Sequence, residues 1–388
     1  MTVTKQPINK LERAYGFDEI ALVPSETTLD PSLVDISTNI AGRKLEIPII
    51  GSAMDSVVNP QTASLLGEYG AAGVLNLEGV QTRYENPTDV LSRISAVSKD
   101  EYVDLMQDIY QKEPVKDELV RARIQEIKAS GAPVFVSATP QNAERLGKIA
   151  CDCEVDAFLV QSTVVSTQHR SPDGVSSLDL KAFCEKMTVP VMVGNSATYS
   201  VTLNLIETGV KAVFVGIGPG AACTTRGVLG VGVPMVTSVL DAVQARNEYY
   251  EKTGTYVSVI ADGGIVNSGD ICKALACGAD AVMIGSPIAR SNEAPGNGYH
   301  WGMATPNAVL PRGARVHVGS VASLKEIMLG PSKSDDGSQN FSGALKTCFA
   351  TIGCENLKDM HHAKVIVAPS LKTEGKVYQQ GQGLGMYK

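Results

Sequence analysis

Eight short apolar runs rich in β-branched residues recur along the chain, each closing on small or polar residues: 47–55 (IPIIGSAMD), 71–79, 132–140, 156–163, 189–196, 211–220, 257–264 and 280–287. Between them lie stretches of helical character such as 59–70, 142–153, 198–209 and 267–278, which begin near a capping Asn, Ser or Thr and mostly stop at glycine. Strands that are apolar on both faces, alternating with amphipathic helices, predict a parallel sheet covered on its outer side. Eight such units predict an α/β fold of the closed (β/α)8 (TIM) barrel type rather than an open doubly wound sheet. The spacing is uneven. One or two charged helices are expected between the second and third strands, the 329–343 stretch reads as a surface loop, and about a hundred residues follow the eighth strand. The expectation is one domain over residues 1–388, with loop insertions and a C-terminal extension.

Composition changes this picture little. Charged residues are 19% and apolar ones 44%, and no apolar run is long enough for a bilayer helix. A net charge of −7 gives no basic footprint for nucleic acid. The first residues lack the apolar core of a secretory signal, so a cytoplasmic protein without membrane partners is expected. Eight cysteines are scattered through the chain and read as free thiols. The Cys151/Cys153 pair has no second pair at ligand spacing and is not expected to bind zinc. Cys184, Cys272, Cys277, Cys348 and Cys354 fall in helical segments and are expected to pack, whereas His361 and His362 lie in a charged stretch and read as surface. The Gly- and Gln-rich tail from residue 372 reads either as a disordered end or as a strap across a neighbouring subunit.

In a (β/α)8 barrel the ligand sits at the carboxyl ends of the strands, because the loops there converge while the interior is filled by side chains. Those ends carry Ser52, Met54 and Asp55; Gln161 to Thr163; Asn195; Gly216 to Cys223; Asp262 to Gly264; and Gly285 with Ser286. Gly263, Gly264, Gly285 and Ser286 follow strands seven and eight, where backbone N–H groups commonly cradle phosphate. Asp262 repels an anion but suits ribose hydroxyls, so a phosphorylated nucleoside satisfies both features. Cys223 is embedded in GIGPGAACTTRGVLGVGVP, a polar, glycine-rich loop and not an apolar stripe. A thiolate there can attack an electrophilic carbon, with Thr224 or Thr225 relaying a proton.

That loop, together with SAMDSV (52–57), ADGGI (261–265), MIGSP (283–287) and GMAT (302–305), resembles the IMP dehydrogenase/GMP reductase family, in the family's order and over most of the chain from Tyr15 to Gly330. The chain is most similar to the bacterial IMP-dehydrogenase-related proteins that lack the regulatory CBS pair. The resemblance implies that Cys223 bonds to C2 of the purine and that Thr225 positions water or ammonia. It further implies that Ser52, Gly264, Gly285 and Ser286 hold the phosphate and Asp262 the ribose, with Met303 and its neighbours, Gly302 among them, at the base edge, Met54 in the substrate site, and Thr163 and Asn195 facing the nicotinamide. Carbonyls of Gly218, Gly220 and Cys223 would form a K+ site, and the assembly would be a homotetramer, with an octamer as the alternative. Three positions depart from the family pattern: Ala221 replaces a phosphate-contacting serine, Gln161 an aspartate near the cofactor, and Arg312 a Gln or Glu at the base.

Dehydrogenation of IMP with NAD and reductive deamination of GMP with NADPH share a Cys223 thioimidate, and only the former must activate water. Dehydrogenases use a mobile flap with an Arg-Tyr pair after the Gly-Met motif. Here GMATPNAVLPRG runs straight from Gly302 to Gly313, and the one Arg-Tyr dipeptide, Arg83 with Tyr84, lies far away in the chain. The expectation is therefore a GMP reductase using NADPH, with IMP dehydrogenation and a non-catalytic nucleotide-binding regulator as the alternatives.

Overall fold

A computed structural model describes residues 11–169, 178–370 and 372–387. Eight parallel strands close into a barrel: β1 (Ile49–Gly51), β2 (Ala72–Asn76), β3 (Val134–Ala138), β4 (Ala157–Gln161), β5 (Val191–Ser196), β6 (Ala212–Val215), β7 (Ser258–Asp262) and β8 (Ala281–Ile284), with β8 pairing back onto β1. The fold is the (β/α)8 barrel expected from the sequence, and each strand starts within one of the eight apolar runs.

The strands are buried on both faces for two different reasons. One set of side chains, including Ile50, Val74, Phe135, Leu159, Met192, Phe214, Ile260 and Met283, fills the barrel. The other set packs outward on the surrounding helices in a larger core. Both faces of each strand are therefore largely apolar, which is why the runs read as continuously apolar. An antiparallel ribbon, Thr38–Ile40 with Arg43–Leu45, places Ile40 and Leu45 against the barrel filling and closes its amino end.

The four anticipated helices appear as Pro60–Glu68, Ala143–Asp152, Tyr199–Ile206 and Ser268–Ala276. Asn59 and Asn267 accept the N–H of Thr62 and Asp270 at 2.8 and 3.0 Å, so the capping residues start the helices as the sequence suggests. Between β2 and β3 the chain forms three helices, not one or two: Pro87–Ala96, Tyr102–Lys112 and Asp117–Ala129. The last covers the barrel. The first two make a hairpin around a small separate core that includes Ile94, Met106, Tyr110 and Trp301. After β8, residues 330–340 form the expected loop between helices Leu324–Leu329 and Phe341–Thr351, and strand Val365–Val367 pairs antiparallel with Ile20–Leu22 near the start of the chain. The tail continues into a helix, Val377–Gln382.

His361 departs from its surface assignment. It is half-buried, its Nε2 lies 3.0 Å from the Ala279 carbonyl, and burial lowers its pKa. His362 is exposed. All eight cysteines are free; Cys272, Cys277 and Cys354 are buried, and Cys184 and Cys348 half-buried. No helix among the described residues is long and apolar enough to cross a membrane.

Candidate active site

A cavity of about 520 Å3 opens at the carboxyl ends of the strands. Every strand end contributes to it, since β1 through β8 all deliver rim residues to one mouth. Ser52, Met54, Thr163, Asn195, Gly218, Gly220, Cys223, Asp262, Gly263, Gly264, Gly285, Ser286, Gly302 and Met303 all line it. Asp55, Thr224 and Thr225 are not among the lining residues; Thr225 lies just behind them, buried at the start of the short helix Thr225–Leu229.

The glycines make the close approaches possible. Gly216 has φ of +144°, and a Cβ there would stand 2.1 Å from the Asp262 carbonyl oxygen. Gly263 and Gly264 have φ of +79° and +73° and stack on Pro219, so the loops after β6 and β7 interlock. This contact presents Cys223 on one side of the cavity and Asp262 on another.

The Cys223 thiol donates to Thr225 Oγ1 at 3.1 Å, so the structure brings Thr225, and not Thr224, to the sulfur. Thr224 is held by its backbone instead: its N–H donates to the Arg312 carbonyl at 3.0 Å, and Cys223 pairs with Gly313 in an antiparallel bridge. The Arg312 N–H in turn donates to the Ala304 carbonyl at 3.1 Å, so the 302–313 segment folds back directly onto the cysteine loop.

Asp262 sits on the cavity floor. Desolvation raises its pKa to about 6, opposed by the hydrogen bond from Asn195 Nδ2 at 2.7 Å. Asn195 also donates to the Gly216 carbonyl at 3.0 Å and accepts from Gln161 Nε2 at 3.3 Å. Its amide is thereby committed to orienting Asp262 and the β6 loop. The β-bulge between Gly194 and Ser196 gives it this position, because the extra residue leaves the ladder and points into the barrel mouth.

Three lining residues went unnoticed in the sequence. His300 is buried, with Nδ1 2.9 Å from Ser286 Oγ and Nε2 3.1 Å from Met54 Sδ; burial lowers its pKa to about 4, so it is neutral at physiological pH. Asn76 ends β2, and its buried Nδ2 has no partner among the described residues. Glu78 accepts from Thr139 Oγ1 at 3.1 Å and from Asn142 Nδ2 at 2.5 Å, joining the rim loops after β2 and β3. Asn76 and Glu78 carried a usable signal, because they close the second apolar run as Asp262 closes the seventh. His300 carried none, since it lies in none of the eight apolar runs but in a two-residue strand, Tyr299–His300, after the barrel.

The IMP dehydrogenase/GMP reductase domain model matches residues 14–307. The chain belongs to that family. It is 36% identical to an uncharacterized oxidoreductase of Mycolicibacterium smegmatis over 92% of this chain and 96% of that protein. An inosine-5'-monophosphate dehydrogenase of Methanocaldococcus jannaschii is 28% identical, covering 94% of each. The crystal structure of an IMP dehydrogenase/GMP reductase-like protein from Corynebacterium glutamicum superposes with a TM-score of 0.87 at 33% identity, over 94% of this chain and 97% of that one. Family membership makes the chain a purine nucleotide oxidoreductase and fits a cavity that combines a thiol, a carboxylate and a glycine-lined end.

Proposed function

We propose that the protein is a GMP reductase that converts GMP, NADPH and two protons to IMP, NADP+ and ammonium. The observation that carries this reading is the return of the 302–313 segment onto the Cys223 loop through Arg312, which leaves no length of chain for a water-activating flap. The Arg-Tyr pair supports it as well. Arg83 donates to the Glu78 carbonyl at 2.9 Å and the Glu113 carbonyl at 2.5 Å, while the Tyr84 hydroxyl donates to the Ile109 carbonyl at 2.8 Å. Both side chains hold the insertion together, and neither is among the cavity-lining residues. Without a positioned base a thioimidate hydrolyses slowly, since general-base catalysis is worth roughly 10² to 10⁴ in rate.

In this reading Ser52, Gly263, Gly264, Gly285 and Ser286 hold the phosphate through neutral donors, with His300 orienting the Ser286 hydroxyl. Asp262 accepts from the ribose. Gly302, Met303 and Met54 hold the base so that C2 faces Cys223. The Cys223 sulfur bonds to C2, and the C2–N2 bond breaks with the amine leaving as ammonia; Thr225, already in contact with the sulfur, relays the proton. Thr163, at the cavity wall, would hold the nicotinamide of NADPH, which when bound would supply the hydride to C2. The C–S bond then breaks, releasing IMP and restoring the thiolate. Asn195 acts on this chemistry through Asp262. The carbonyls of Gly218, Gly220 and Cys223 are neutral oxygen donors of the class that suits K+, and we keep a K+ site and a cytoplasmic homotetramer, with one catalytic domain and no CBS pair, within the proposal.

The test mixes purified protein with GMP and NADPH, or with IMP and NAD, and follows absorbance of the reduced cofactor. Loss of absorbance with GMP supports the reductase. Gain with IMP makes the protein a dehydrogenase, as the named M. jannaschii relative is, and nucleotide binding with neither signal makes it a regulator. Cys223→Ser should reduce turnover to background while leaving nucleotide binding intact; full activity in that variant would sink the mechanism.

A further inference from the structure

Trp301, the single tryptophan of the chain, immediately precedes the Gly302–Met303 segment and is buried. Its indole N–H donates to the Tyr110 hydroxyl at 3.2 Å, and that hydroxyl donates to Asp55 Oδ2 at 2.5 Å. Asp55 Oδ2 also accepts the Val80 N–H at 2.8 Å. Ser56 Oγ closes the arrangement, donating to the Trp301 carbonyl and accepting its N–H, both at 3.1 Å.

These groups alternate with cavity residues along two segments. On the loop after β1, Met54 faces the cavity while Asp55 and Ser56 face away from it; after Trp301 the chain presents Gly302, and before it His300. The two segments meet at the cavity as well, since Met54 Sδ is 3.1 Å from His300 Nε2 and a Cβ on Gly302 would lie 3.2 Å from Met54 Cε. The outer partner of both is the hairpin of helices Pro87–Ala96 and Tyr102–Lys112. It grips the same segment again further along: Arg315 donates to the carbonyls at the end of the first helix, Ile94 and Val97, and its guanidinium stacks 4.4 Å from the Tyr299 ring centroid and 5.1 Å from that of Tyr102.

We propose that the helical hairpin between β2 and β3 is a positioning clamp for the nucleotide site, in which Tyr110 bridges Asp55 and Trp301 and so fixes the Gly302–Met303 edge opposite Met54. Tyr110 touches no substrate. It acts by removing freedom from the segment that contacts the base, and a contact made equally with bound substrate and transition state shows in KM and not in kcat. The proposal rests on the reading of Gly302 and Met303 as base contacts.

The experiment compares Tyr110→Phe with Tyr84→Phe, which deletes a hydroxyl bonded to the Ile109 carbonyl within the same insertion. Steady-state kinetics with GMP and NADPH, thermal melting, and amide hydrogen exchange of peptides spanning 300–305 are measured on the full chain. Tyr110→Phe should raise the KM for GMP about tenfold with kcat within about twofold, the scale of one lost hydrogen bond, and should accelerate exchange at 300–305. Tyr84→Phe should lower the melting temperature without either change. Unaltered KM and exchange in Tyr110→Phe, or the same KM increase in Tyr84→Phe, would overturn the clamp. If the wild-type protein turns over no nucleotide, exchange alone decides: acceleration in Tyr110→Phe keeps the clamp while the reductase reading fails.

Discussion

Asp262 is a buried carboxylate held at the expense of the fold. Its carboxyl has a pKa of about 6 because the cavity floor desolvates the charge more than Asn195 compensates it. The raised folded-state value means that ionised Asp262 destabilises the protein: the cost is fully present above about pH 6 and vanishes as pH falls toward the ordinary carboxyl value of 3.8. Asp262→Asn should therefore melt at a higher temperature than the wild type at pH 8, with the difference shrinking below pH 6, as differential scanning fluorimetry across pH would show. The same substitution should weaken nucleotide binding at neutral pH, because an amide is a poorer acceptor than a carboxylate for ribose hydroxyls. Wild-type affinity for GMP, followed by calorimetry, should fall as pH drops through about 6. Cys223 was legible in the sequence from its glycine-rich loop, and so was Asp262 from its place at a strand end. His300 was not, because a histidine outside the barrel strands gains meaning only from what folds against it.

At the level of elements, the site depends on two rim loops that occupy each other's space. A Cβ on Gly216 would meet the Asp262 carbonyl oxygen at 2.1 Å, and backbone cannot yield as a flexible side chain can. Gly216→Ala should consequently cost more than about 2 kcal/mol of stability and eliminate turnover, measurable by urea unfolding and the cofactor assay. The eight strands were recognisable because both of their faces are buried, and their helices because Asn caps begin them. The helical hairpin was harder to place. Its charged surface was visible, but its small core needs Trp301, 191 residues beyond Tyr110 in the chain, and no local pattern announces that pairing.

On the scale of the whole molecule, the open and closed ends of the barrel are stabilised differently. The cavity end carries buried polar groups without partners among the described residues, such as the Asn76 amide, whereas the amino end is tied by a buried ion pair. Arg246, from the long helix Met235–Thr253, meets Asp280 at 3.0 Å, and Tyr256 donates to the same carboxylate at 2.6 Å. Removing one member strands the other charge in the interior, so Arg246→Met should destabilise by about 3 to 5 kcal/mol in urea titrations. Nucleotide KM should be little changed in the protein that remains folded, since the pair is remote from the lining residues.

The sequence by itself determined the barrel, its eight strand positions and the chemical types gathered at its mouth, because hydrophobic period, capping residues and strand ends are local properties of a chain. Only the tertiary structure decided that Thr225 rather than Thr224 meets the thiol, that Asn195 is committed to Asp262, and that the β2–β3 insertion grips the Gly302 segment. Those contacts join residues whose distance in space is set by barrel closure and loop interlocking, and neither quantity is encoded in any short stretch of the chain.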